Sequence, residues 1–444
     1  MRQADRQHEN DAGGEASGGD GVRMELMTTK YEAAEMHGFK RTNAGLIPVD
    51  WLEFTIGDLI RFEGGSQPEK SHFRATPQLG YIRMIQIRDY KSDRFEVYVP
   101  QGLARRFCAE TDVMIGRYGP PVFQILQGLE GAYNVALIKA IPQPEIDPTY
   151  AFYFLKNEQL FSFVEKLSRR SSGQTGVNLG ELRTYPLPLP PKREEQRAIA
   201  KALADADALI DSLEQLLTKK RQIKQGSMQE LLTGRRRLPG FRSEWAERRL
   251  ADLADIRSGG TPSTRQSEFW DGDIPWCTPT DITALFGSKY ISNTQRSISE
   301  QGLKASSAEL LPIGTVVMTS RATIGECAIA AAPLATNQGF KNFVPSAKTS
   351  GEFLYYLLST QKQAFLALCS GSTFLEIGKR QLADFTVQCP ADLDEQVAIA
   401  QVLSDMDTDL TALESRLTKA RALKQAMAQA LLTGRIRLTE GAAA

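Results

Sequence analysis

The sequence predicts an α/β (α+β) protein in which two globular domains are separated by two long helices, paired as an antiparallel coiled coil with pseudo-twofold symmetry. Three observations carry this prediction. Glu195–Leu238 and Glu395–Leu438 are one helical phrase written twice at a constant offset of 200 residues, without a gap and with roughly half the positions identical. Repetition over such a length signals duplicated architecture. Each phrase carries an apolar 3-4 alternation, the seam of a coiled coil. Each is also acidic in its first half and basic in its second.

The first segment, residues 1–37, is rich in glycine and acid, lacks apolar periodicity, and reads as a disordered leader or an over-long gene start. The first globular domain is placed at 38–191. Its β-rich stretches YIRMIQI (81–87), FEVYV (95–99) and YNVALIKAI (133–141) are separated by Gly and Pro turns, and a helix is expected over 150–167. The first long helix is assigned to 192–237, the second globular domain to 238–391, the second long helix to 392–436, and a tail to 437–444. The second domain repeats the plan of the first: Trp245 precedes Gly259-Gly260 as Trp51 precedes Gly64-Gly65, TVVMTSRATIG (315–325) answers DVMIGRYG (112–119), and a helix at 354–370 answers 150–167.

The seam runs through Ile199, Leu203, Ile210, Leu213 and Leu217 in the first long helix, interrupted later by Lys220, Lys224 and Ser227. In the second it runs through Ile399, Leu403, Leu410, Leu413 and Leu417, broken at Lys424. Acid in each first turn marks the helix starts, and Gly234 or Gly434 near each C-terminus marks the ends. About 40 residues at 1.5 Å each make a rod of ~60 Å. Residues 194–214 hold six acids and two bases, 219–242 one acid and eight bases, and 394–414 six acids and no base. Antiparallel pairing sets acidic halves against basic halves, whereas parallel pairing opposes like charges. Short connections favour the same arrangement. Two domains at the ends of such a rod would form a ruler.

Composition narrows the function. Fifty-three basic and 53 acidic residues cancel, which excludes a strongly basic, solitary nucleic-acid binder, although 38–193 alone holds twenty bases and sixteen acids. No apolar run approaches a membrane span of ~18 residues and no signal peptide is visible. Five scattered cysteines without CxxC spacing suit reduced thiols in a cytoplasm. Catalytic signatures are missing. Gly371 to Gly378-Lys379 has the wrong spacing for a phosphate loop, and Arg380 stands where Ser or Thr is needed. Tyr118-Gly119-Pro120-Pro121 lacks the leading Asn or Asp of an adenine methyltransferase. His8, His37 and His72 pair with no metal ligand or nucleophile, so neither a metal site nor an active site is expected.

Polar loops suited to base edges and phosphates remain. In the first domain the candidates are Arg83, Gln86, Arg88, Arg117, Tyr118 and Asn134, with Arg169, Arg170, Gln174, Thr175 and Asn178 beyond the predicted helix. In the second they are Trp276, Thr278, Thr280 and Asp281, then Ser320, Arg321, Thr323, Asn337 and Gln338, with Thr373 and Lys379 further on. Arg suits guanine and Asn or Gln suits adenine through bidentate pairs, while hydroxyls serve phosphates. The alternative for each residue is an ordinary turn or capping role. The Arg235-Arg236-Arg237 run reads as a phosphate clamp, a solvated helix end or a partner contact.

These residues stand in phrases with a distinctive order. GFKRTNAGLIPVDWLEFTIGDL (38–59) and LPGFRSEWAERRLADL (238–253) enter the two domains. LGELRTYPLPLPPKREEQRAIA (179–200) and GKRQLADFTVQCPADLDEQVAIA (378–400) leave them, ATNQGFKNFVP (335–345) lies inside the second, and LLTGR ends both helices. In that order, twice, they resemble the specificity (S) subunit of type I restriction-modification enzymes. The resemblance runs from Gly38 onward; the acidic leader has no counterpart, and Ala391 stands where the first copy has Pro191. It implies two target-recognition domains, each reading half of a bipartite, asymmetric site in double-stranded DNA, and helices that set the spacer and dock two methyltransferase (M) subunits. It implies no cofactor in this chain: S-adenosylmethionine belongs to the methyltransferase, and translocation and cleavage to restriction (R) subunits. Competing readings are the same role in an assembly that fuses cleavage with methylation, and a coiled-coil scaffold whose globular ends bind protein.

Overall fold

The computed structural model describes residues 38–170, 176–285, 287–321, 323–369 and 375–438. The chain forms two compact units, one made of the chain up to Ile210 together with the part from Lys419 onward, the other of Asp211–Thr418. The boundaries fall inside the long helices. Each unit therefore contains one globular domain, half of one long helix and half of the other.

In unit one, four antiparallel strands lie in the order Ile60–Gly64, Leu137–Pro142, Val113–Gly116, Gln124–Leu126. A second sheet has the order Tyr98–Pro100, Tyr81–Ile85, Gly131–Tyr133, Phe107–Cys108. Leu52–Thr55, at the start of the domain, pairs with Pro186–Leu189 at its end, which aims the exit toward the helix. The single helix expected over 150–167 is two, Pro148–Leu155 and Glu158–Arg170. At the junction the Asn157 side chain accepts a hydrogen bond from the Gln159 amide (2.9 Å) and restarts the helix.

Unit two repeats the plan. Its five-stranded sheet runs Ala254–Ser258, Phe340–Pro345, Val316–Thr319, Cys327–Ala330, Tyr290–Ile291. A smaller sheet orders Arg296–Ile298, Trp270–Cys277, Ala335–Thr336, and Trp245–Arg249 pairs with Thr386–Pro390 to close the domain. The expected helix over 354–370 is again divided, into Gly351–Thr360 and Lys362–Leu368.

The long helices span Arg193–Leu231 and Leu393–Leu432, so their starts keep the 200-residue offset despite Ala391. Both stop short of the limits drawn from sequence because Gly234 (φ 69°) and Gly434 (φ 72°) take the left-handed conformation that ends a helix. A side chain at Gly434 would also collide with Pro48, 2.5 Å away. Within each unit the helix halves run antiparallel. In unit one, Ile199, Ala200 and Leu203 pack with Leu431 and Leu432; in unit two, Leu231 and Leu232 pack with Ile399, Ala400 and Leu403. Ile210, Leu213, Leu217, Leu413 and Leu417 are also buried, and Leu410 is half-buried. Each fully buried aliphatic side chain contributes roughly 1.5–3 kcal/mol. The charge polarity appears as Lys220–Asp409 (2.9 Å) and Arg221–Glu414 (2.7 Å). No described helix is long and apolar enough to cross a membrane.

The repeated Glu-Gln pair explains why the domains sit firmly on the helices. The Gln196 side chain accepts from the Asp147 amide (2.7 Å) and donates to the carbonyls of Pro190 (2.8 Å) and Glu145 (3.2 Å). Gln396 does the same with Ser350 (2.9 Å), Pro390 (3.0 Å) and Lys348 (3.3 Å). Glu195 receives Arg437 Nη2 at 2.8 Å, and Glu395 receives Arg237 Nη2 at 2.7 Å. The two carboxylate side chains are 2% and 0% exposed, so each depends on its arginine. Arg437 also holds Asp50 (both bonds 2.9 Å) and lies 5.6 Å over the Trp51 ring; Arg237 bonds the Ser243 carbonyl (2.8 Å) and lies 5.8 Å over Trp245. Arg237 is therefore an internal lock and does not serve as part of a phosphate clamp.

Two outcomes are expected. Glu395→Ala strands Arg237 and removes the acceptor of the Trp245 indole N–H, so urea unfolding should show a loss of about 3–5 kcal/mol, with a smaller loss for Glu395→Gln. The hydrogen bond from Arg437 holds the Asp50 carboxyl below its ordinary 3.8. A depressed carboxylate stabilises above its unfolded pKa and stops doing so as pH falls through the folded one. Asp50→Asn should therefore be less stable than the parent near neutrality, and the two should converge under acid.

Candidate nucleic-acid interface

In unit two the central strand Val316–Thr319 ends at Ser320-Arg321, beside the loop that precedes Phe340–Pro345. Ser320 N–H donates to the Gly339 carbonyl (2.7 Å), and Ile377 N–H donates to the Ser320 carbonyl (3.2 Å), which joins a third segment to the strand end. Arg321 bridges to Glu376 there, with Nε 2.9 Å from the carboxylate. Lys341 approaches the other oxygen of Glu376 at 3.8 Å. The Arg321 side chain is 47% exposed and that of Lys341 8%, so one cation faces water while the other lies behind it. Burial pulls the Lys341 ammonium below its ordinary 10.5, with Glu376 opposing. The Ser320 hydroxyl is buried without a partner among the described protein groups.

Neighbouring candidates divide into fixed and free. The Asn337 carbonyl oxygen accepts from Gly339 N–H (2.9 Å) and so shapes the loop. Gln338 is exposed and accepts the Thr261 hydroxyl. Thr323 is exposed, as is Lys379 at the start of the short helix Lys379–Asp384. Ser320, Arg321, Asn337 and Gln338 thus converge at one strand end.

The turn at 274–282 is different. Trp276 is buried, donates its indole N–H to the Gly260 carbonyl (2.9 Å) and meets Trp270 edge to face with centroids 5.0 Å apart. Asp281 is 6% exposed and accepts from the Thr278 amide (2.7 Å), the Thr278 hydroxyl (2.6 Å) and the Gln295 amide (2.8 Å). Trp276, Thr278 and Asp281 build the turn and its core; Thr280 alone of the four is exposed.

In unit one, Arg117 and Tyr118 occupy the matching strand end. Both are exposed, the guanidinium lies 5.2 Å over its neighbour's ring, and Val177 N–H donates to the Arg117 carbonyl (3.1 Å). This matches the Ile377 bond to Ser320: the donors are 200 residues apart and the acceptors 203. Other candidates there have structural partners. Arg83 is held by Asp93 and Glu96, both at 2.8 Å, and Gln86 precedes a 3-10 turn over Ile87–Tyr90. Buried Asn134 accepts from Ala136 N–H (3.1 Å), and Asn178 caps Leu179–Thr184. Arg88 is exposed, 5.3 Å over Phe95. Arg169 and Arg170 close the helix Glu158–Arg170, and their side chains are undescribed; Gln174, Thr175 and Thr373 lie outside the described residues.

Sequence reasoning passed over Lys341 and Glu376. The signal for Lys341 was a lone lysine in the apolar strand FKNFVP. Glu376 gave none, since only the fold brings it to Arg321.

Residues 48–225 and 242–420 match the family model described as the type I restriction modification DNA specificity domain. Among curated proteins, the chain is 41% identical over 166 residues to the type I restriction enzyme MjaIX specificity subunit of Methanocaldococcus jannaschii, which spans 37% of this chain and 38% of that one. It is 25% identical to the MjaVIII specificity subunit of the same organism over 91% of this chain and 96% of that one. Among solved structures, one of a type I restriction-modification system S subunit from M. genitalium superposes with a TM-score of 0.53 at 15% identity, covering 86% of this chain and 96% of that one. A chain from a study of type I complex assembly and conformational transition gives 0.56 at 18%, covering 88% and 99%.

Replacing Asp281 with Ala should lower the stability of unit two by about 1–3 kcal/mol, because three part-buried hydrogen bonds lose their buried acceptor. Thermal unfolding without nucleic acid checks this; an unchanged midpoint would return Asp281 to the base-reading candidates.

Proposed function

Because this chain belongs to the family of type I restriction modification DNA specificity domains, we propose that it is a non-catalytic subunit whose two globular domains each read one half of a bipartite, asymmetric duplex site. The observation that carries this reading is the double family match, one copy over each globular domain and the helix after it. Exposed arginine at matching strand ends, Arg117-Tyr118 in one unit and Arg321 in the other, supports it, since arginine is the commonest reader of guanine.

The paired helices set the separation of the half-sites and dock two copies of a methyltransferase subunit, for which the repeated phrases offer equivalent surfaces. That partner carries S-adenosylmethionine and the adenine chemistry. Restriction subunits complete a cytoplasmic complex. A chain with equal numbers of acidic and basic residues fits such an assembly, in which partners supply much of the phosphate contact.

The test is binding of the purified complex with its methyltransferase to duplexes carrying a split site. Salt-dependent binding that prefers one split sequence is expected; no sequence preference with the partner present would overturn the reading. Arg321→Ala should relax discrimination at one half-site by about 1–3 kcal/mol and leave the other unchanged. Equal loss at both halves would contradict separate readers.

A further inference from the structure

Two of the lysines that interrupt the apolar seams, Lys424 and Lys224, occupy matching settings. In unit one, Lys424 pairs with Asp207, whose other oxygen accepts the Tyr153 hydroxyl at 3.1 Å, and the Lys424 ammonium lies 5.9 Å over the Tyr153 ring. In unit two, Lys224 pairs with Asp407, whose other oxygen accepts the Tyr356 hydroxyl at 2.6 Å, and the ammonium lies 5.7 Å over that ring. The lysine side chains are each 22% exposed; those of Asp207 and Asp407 are 28% and 26%. Three elements meet in each triad: the aspartate from the acidic half of one long helix, the lysine from the basic half of the other, and the tyrosine from the first helix of the globular pair (Pro148–Leu155 or Gly351–Thr360).

A purely apolar seam is satisfied in more than one register, and a polar residue within it selects one at some loss of stability. Half-buried ion pairs contribute little net stability compared with apolar side chains of similar volume. The duplicated triads are therefore poorly explained as stabilising contacts and well explained as devices that select one arrangement. We propose that Asp207–Lys424–Tyr153 and Asp407–Lys224–Tyr356 are spacing-determining positions: they fix helix register and seat each domain on the helices, and so restrict the subunit to one half-site separation. This rests on the split-site reading proposed above.

The experiment uses the full chain in complex with its methyltransferase and measures modification of duplexes with both half-sites intact and the spacer native, one base pair shorter or one longer. The parent should favour its native spacer strongly. An apolar variant, Asp207→Leu with Lys424→Leu and Tyr153→Phe, should lose about tenfold of that preference while keeping its half-site sequences, and Lys424→Arg should retain it. If the apolar variant does not assemble, Tyr153→Phe with Tyr356→Phe, which leaves rings and seam in place, decides by the same readout, with a severalfold loss expected. Unchanged spacer preference in an assembled variant would overturn the proposal and leave the split-site reading standing. A parent complex without sequence-specific modification would overturn both.

Discussion

A buried carboxylate at the start of each long helix must find a cation, and this requirement organises the structure. Glu195 and Glu395 are shielded from water, and an unpaired charge there would be strongly destabilising. The partners, Arg437 and Arg237, follow the glycine that ends the other helix. Only antiparallel helices in one register bring a helix start to the other helix's end. The apolar seam stabilises the pairing, and the locks favour its antiparallel order. Gln196 and Gln396, next in the chain, carry that order into the globular domains through three hydrogen bonds each.

The division of labour follows the chemistry. Positions that hold domain to helix recur 200 residues apart with matching partners: the glutamate–arginine locks, the glutamine clamps and the helix-ending glycines. The strand ends recur only in backbone. Ser320 and Arg117 both receive the N–H of a residue 200 apart from its counterpart, yet their side chains differ, and Arg321 is held by Glu376 where unit one offers an arginine stacked on its neighbouring tyrosine. A common mount with unlike surfaces is what two different readers require.

Much of this was legible in the sequence. The repeat, the seam and the charge polarity arise from local spacing, so the helices and their antiparallel pairing follow from periodicity and electrostatics. Of the lysines read there as interruptions, Lys220 pairs with Asp409 on the other helix, whereas Lys224 and Lys424 are members of polar triads whose tyrosines, Tyr356 and Tyr153, come from the globular domains, and no spacing rule connects them. The helices at 150–167 and 354–370 break because Asn157 and Gln361 begin new turns, a choice that propensity alone leaves open. Polar residues proved harder to sort by type alone. Asp281 and Asn134 are turn builders and Arg321 is exposed, and burial separates them. Lys341 and Glu376 became visible only through contacts across the sheet.

The central claim is that one repeated mount carries two independent readers. The most direct measurement is a genome-wide map of modified adenines in a host carrying this chain with its methyltransferase, repeated after residues 241–389 are replaced by the equivalent segment of another family member. The account predicts a split motif in which one half changes and the other is retained. A change in both halves, or a continuous motif in either map, would contradict it.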